Sequence, residues 1–101
     1  MKNLSDNDFK SEVLESETPV VVDFWSIGCG PCRQMEPLLK AAEAKHDKVK
    51  FAKIQPEDGM GIFTEYGVSA VPTLILFKNG TSVKRKTGMM QEAELEEWLG
   101  D

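Results

Sequence analysis

The chain is short of several things, and each shortage closes a class of function. It has two cysteines and one histidine among 101 residues, too few for a closed zinc site built from Cys and His ligands. Basic side chains number 12 against 17 acidic ones, a net charge of -5, and a balance of that sign does not favour nucleic acid or an anionic membrane. Apolar stretches are only strand-length, as in Val20-Val21-Val22, so no membrane span is expected. The opening Met1-Lys2-Asn3-Leu4-Ser5-Asp6 has no apolar segment of signal-peptide length. Nothing is repeated or low in complexity. The expected location is therefore the reducing cytoplasm, where paired cysteines are more often catalytic than structural. The length and a hydrophobic content of 41% predict one compact domain over residues 1–101.

What is present centres on Cys29-Gly30-Pro31-Cys32. Thiols three apart share a face if the second lies in the first turn of a helix, where a small disulfide can close. Pro31 favours that helix start, because its fixed φ suits the first turn and its missing N–H is not needed there. Free backbone N–H groups and the positive end of the helix dipole stabilise a thiolate, the species that attacks disulfides. A purely structural disulfide across two residues would constrain the unfolded chain little. The pattern points to redox chemistry.

The remaining elements follow from periodicity and breakers. Ser5 with Asp8 resembles a capping box, and Phe9 and Val13 lie on one face of a short first helix ended near Pro19. Val20 to Trp25 reads as a central strand, interrupted in apolar character by Asp23. Met35, Leu38, Leu39 and Ala42 recur at helical spacing to about His46, with a kink expected at Pro37. A second strand spans Val49 to Gln55, and a short helix runs from Gly61 to Tyr66, capped by Gly67. Thr73 to Phe77, the turn Asn79-Gly80 and Ser82 to Thr87 form a hairpin. A last helix covers Gln91 to Leu99, burying Leu95, Trp98 and Leu99 and turning its glutamates to solvent. The fold class is α/β, a mixed sheet between helices with the cysteine motif at the C-terminal end of a central strand. A lone acid in an apolar strand is costly without a job or a partner, which makes Asp23 a candidate acid–base group. Desolvation should raise its pKa.

Val22-Asp23-Phe24-Trp25, Cys29-Gly30-Pro31-Cys32, Pro37, Lys53, Tyr66-Gly67, Val71-Pro72-Thr73, Phe77-Lys78-Asn79-Gly80 and Gly88 together resemble the thioredoxin family, in order and spacing over nearly the whole chain. The resemblance implies the thioredoxin fold, a central mixed sheet with helices on both faces, and protein-disulfide reduction by thiol–disulfide exchange in the service of electron transport and cell redox homeostasis. It implies Cys29 as nucleophile, Cys32 as resolving thiol, Asp23 as the carboxylate assisting proton transfer at Cys32, and Lys53 as the partner of Asp23. Val71-Pro72 resembles the cis-proline loop that pairs with substrate backbone. Gly28, Gly30, Pro31, Gly88 and Met89 are the further expected contacts for substrate. The implied partners are disulfide-containing client proteins and a thioredoxin reductase, with a monomer needing no cofactor or metal. The rival readings are an electron carrier for one dedicated partner system and a binding module with little redox role.

The chain departs from the family pattern most clearly at Gly28, where a tryptophan is usual before the first cysteine. Met89 and Met90 either supply part of the lost apolar contact through their pliable thioethers or pack under the last helix. Pro56-Glu57-Asp58 also replaces the usual end of the second strand.

Overall fold

Five strands form one mixed sheet in a computed structural model that describes residues 1–100. They are β1 (Lys2–Leu4), β2 (Val20–Phe24), β3 (Lys50–Ile54), β4 (Thr73–Lys78) and β5 (Thr81–Thr87). Their spatial order is β1-β3-β2-β4-β5. β3 lies parallel between β1 and β2, and β4 runs antiparallel to both β2 and β5. Every residue of the central strand β2 is buried, as its nearly unbroken apolar run requires when helices cover both faces. Alternation divides its side chains between two cores. Val20, Val22 and Phe24 join Ile75 and Phe77 on one face, while Val21 joins Leu74 and Leu76 on the other.

The first face is covered by a short helix and by α2 (Pro56–Glu65), and the second by α1 (Gly30–Lys45) and α3 (Glu92–Leu99). The short helix, Lys10–Leu14, is wound as a π-helix, its last turn closed by the Glu15 N–H donating to the Lys10 carbonyl. Its entry keeps the expected capping interaction, the Ser5 N–H donating to Asp8 Oδ1 at 2.7 Å. Phe9 and Val13 are both buried, and Phe9 meets Phe77 edge-on at 5.5 Å.

Several expectations need correction. α2 begins at Pro56, not at Gly61, with Glu57 and Asp58 in its first turn. The helix breaks at Gly59 and restarts where Asp6 accepts the N–H groups of Gly61 and Ile62, at 3.1 and 3.0 Å. The segment read from the sequence was therefore the second half of a longer element. α1 is continuous through Pro37, which sits on its exposed side. At the C-cap of α1, His46 pairs through Nε2 with Glu96 Oε1 at 2.8 Å and ties the end of α1 to α3. Trp98 and Leu99 are half-buried, and Trp98 carries the Lys84 ammonium over its ring.

The hairpin turn is as expected. Asn79 and Gly80 both have positive φ, 54° and 79°, the combination that matches strand twist in a two-residue turn. A Cβ at Gly80 would also lie 2.9 Å from the Leu14 carbonyl oxygen, so glycine is required there twice over.

Candidate active site

The cysteine motif lies just past the end of β2, where the chain turns into α1. Cys29 is the N-cap of α1 in extended conformation, and Gly30 and Pro31 fill the first helical positions. The two cysteines are joined as a disulfide with a Cα–Cα distance of 5.2 Å. The Cys32 N–H donates to Cys29 Sγ at 3.1 Å. That bond takes one of the unused donors of the helix start and aims it at the Cys29 sulfur, where it would stabilise a thiolate. The two sulfurs differ in access, Cys29 being partly exposed and Cys32 buried. Arg33 lies in the first turn of α1, but its guanidinium donates to the Ile27 carbonyl at 2.9 Å and fastens the loop before Cys29.

Gly28 is exposed, and a Cβ there would meet nothing within 4 Å. Beside it Ile27 is 68% exposed, so the flank of the disulfide offers an aliphatic side chain. The peptide bond before Pro72 is cis. Phe24 pairs with Thr73 across β2 and β4, which brings the Val71-Pro72 loop to the sheet end that bears the cysteines. Thr73 Oγ1 braces this loop by donating to the Ala70 carbonyl at 2.7 Å, and the Gly88 N–H donates to the Pro72 carbonyl at 2.8 Å. An open groove of about 440 Å³ runs from Ser26 past Met60 and Phe63 to Val71. Met89 is half-buried against the second core, and Met90 is wholly buried within it. Met90 therefore offers no surface contact and packs with Leu95 of the last helix, the second of the two readings of the pair.

Asp23 shares the α1-facing side of β2 with Val21 and is only 3% exposed. Burial pushes its carboxyl from the ordinary 3.8 to about 7, with Lys53 opposing the rise and Glu36 adding to it. Its Oδ1 is buried without a hydrogen-bond partner. Lys53 stands directly beside it in the β2–β3 register, but the expected ion pair is not made. The Lys53 ammonium instead donates to Glu36 Oε1 at 3.0 Å and lies 4.7 Å from the centre of the Trp25 ring. Sequence reasoning missed Glu36. The available signal was its place one helical turn beyond Cys32, on the face that carries the buried cysteine.

The site thus combines a redox-capable pair at a helix start, a buried carboxyl able to hold a proton near neutral pH, and a braced loop with an apolar groove beside them. Among the described residues no group of His, Cys, Asp and Glu side chains could hold a metal ion.

Comparison with known proteins agrees with this geometry. The family profile described as Thioredoxin matches residues 1–101. The chain is 41% identical to the thioredoxin of Rickettsia typhi, over 98% of this chain and 95% of that protein. It is 42% identical to the thioredoxin of Rhodospirillum rubrum, over 98% and 96%. Against the thioredoxin of Porphyra purpurea the identity is 39%, over 98% and 94%.

Proposed function

The chain belongs to the thioredoxin family and is a protein-disulfide oxidoreductase working by thiol–disulfide exchange at Cys29 and Cys32; from that premise we propose how the labour is divided among its residues. In the reduced protein the Cys29 thiolate attacks a client disulfide. The client S–S bond breaks, a mixed disulfide forms at Cys29, and one client sulfur leaves as a thiolate. Cys32 then gives its proton to the Asp23 carboxylate and attacks the Cys29 sulfur. The bond from Cys29 to the client breaks, the Cys29–Cys32 disulfide closes, and the second client sulfur leaves as a thiolate that takes a proton from solvent. Two electrons have passed from the dithiol to the client, and a thioredoxin reductase returns them.

The observation that carries this division is the asymmetry of the pair. Cys29 is partly exposed and accepts the Cys32 N–H, whereas Cys32 is buried on the side of α1 that faces the sheet. Asp23 suits the proton acceptor because its carboxyl titrates near 7, where it can both take and release a proton at physiological pH. Val71-Pro72, Gly88, Gly28, Gly30, Pro31 and Met89 form the client-facing surface. An extended client segment laid on the Val71-Pro72 loop would be held by main-chain bonds that ignore side-chain identity. No helix among the described residues is long and apolar enough to cross a membrane. The cytoplasm is the proposed location, since a reducing compartment keeps such a dithiol charged.

Limiting alkylation of the reduced protein tests the division. Cys29 is expected to be labelled well ahead of Cys32, and the opposite order would reverse the roles.

A further inference from the structure

The Lys53 ammonium has a carboxylate on either side and bonds to only one. Asp23 is its register neighbour across β2 and β3, yet the hydrogen bond goes to Glu36 on α1 at 3.0 Å. Trp25 draws the ammonium by its ring face at 4.7 Å. The second oxygen of Glu36 lies 3.4 Å from the exposed Lys40 ammonium, one turn along α1. This is not an ordinary surface ion pair, for the Lys53 side chain is only 13% exposed. Asp23, meanwhile, keeps an unpartnered buried oxygen.

We propose that Glu36 is a positioning residue that holds the Lys53 ammonium away from Asp23, and so sets the pH at which Asp23 accepts the Cys32 proton. The proposal rests on the assignment of Asp23 as proton acceptor made above. An ammonium bonded to Asp23 would stabilise the carboxylate and make it a weak base, ionised throughout the neutral range. Left unpaired in an apolar surround, the same carboxyl becomes a base matched to neutral pH. The charged groups acting on Asp23 are Lys53 from β3, which lowers its proton affinity, and Glu36 from α1, which raises it. Its β4 neighbour, Leu74, carries no charge. Lys53 holds the Glu36 carboxyl below its usual range, so Glu36 is ionised throughout the pH interval in which Asp23 titrates.

The test is a carbon-13 titration of the Asp23 carboxyl in the reduced protein, made for wild type, Glu36→Gln, Lys53→Met and the double variant. Removing the Glu36 charge frees Lys53 to turn to Asp23. The Asp23 midpoint is expected to fall by on the order of one pH unit, and the acid limb of client reduction should move the same way. With Lys53→Met in place, Glu36→Gln should lower the midpoint by less than half as much, because only its direct field is then lost. A midpoint that stays put or rises in Glu36→Gln overturns the proposal. So does an equal fall in both backgrounds, which would mean that Glu36 acts without Lys53. Asp23→Asn separates the two layers. If that variant keeps the acid limb, Asp23 is not the acceptor, while the carboxyl titration still decides whether Glu36 governs it.

Discussion

Replacing Asp23 with asparagine should make the oxidised protein more stable at alkaline pH and remove a pH dependence that the wild type carries. The Asp23 carboxyl ionises at about 7 in the folded protein against an ordinary 3.8. Between those values the folded state keeps a proton that the unfolded chain releases, so raising the pH favours unfolding. Below the lower value both states are protonated, and above the upper one both are ionised. The contribution of Asp23 to wild-type stability should therefore fall as pH rises from about 4 to about 7 and then level off. Integrated over that window, the loss comes to roughly 4 kcal/mol for this single group, a large share of the stability of a small protein. An asparagine of nearly the same shape has no such window. Any fixed cost of its amide cancels when the two proteins are compared at two pH values. Urea unfolding of both oxidised proteins at about pH 4 and about pH 8 reads the effect, and the variant should gain on the order of 2 M in midpoint relative to wild type at the higher pH. A wild-type-to-variant difference that is the same at both pH values would refute the burial argument for Asp23.

Gly28→Trp meets no atom within 4 Å of its new Cβ, so stability should change by less than about 0.5 kcal/mol. Its rates with different reductases and protein clients should change more than its rate with a small dithiol, and equal changes across all of them would mean that position 28 acts on the disulfide itself. Met90→Ala should cost about 2–5 kcal/mol in denaturant unfolding, because the side chain is fully buried in the core. Met89→Ala should cost clearly less; a reversed order would contradict the packing of this loop.

The parts of the fold that could be read from the sequence are those whose physics is local. Val20-Val21-Val22 declares a strand buried on both faces, Asn79-Gly80 declares its own turn, and the Cys29-Gly30-Pro31-Cys32 run declares a helix start. What was not legible depends on distant groups choosing between partners. Lys53 chooses Glu36, 17 residues away, over the neighbour that its strand register supplies. The first half of α2 had a local signal in Pro56-Glu57-Asp58, but the helix is interrupted at Gly59 and its second half is anchored by Asp6, 55 residues earlier. Met89 and Met90 are identical in type and adjacent, so only the packing of the loop against the second core could show that one is buried and the other half-exposed.

The most direct test of the central claim is to trap the exchange halfway. Reduced Cys32→Ser protein is mixed with insulin, and the products are weighed intact by mass spectrometry and mapped by proteolysis. A stable mixed disulfide at Cys29 is expected, released by added dithiol, with no adduct on Cys29→Ser under the same conditions. An adduct that forms on Cys29→Ser and not on Cys32→Ser, or on neither, would contradict the account.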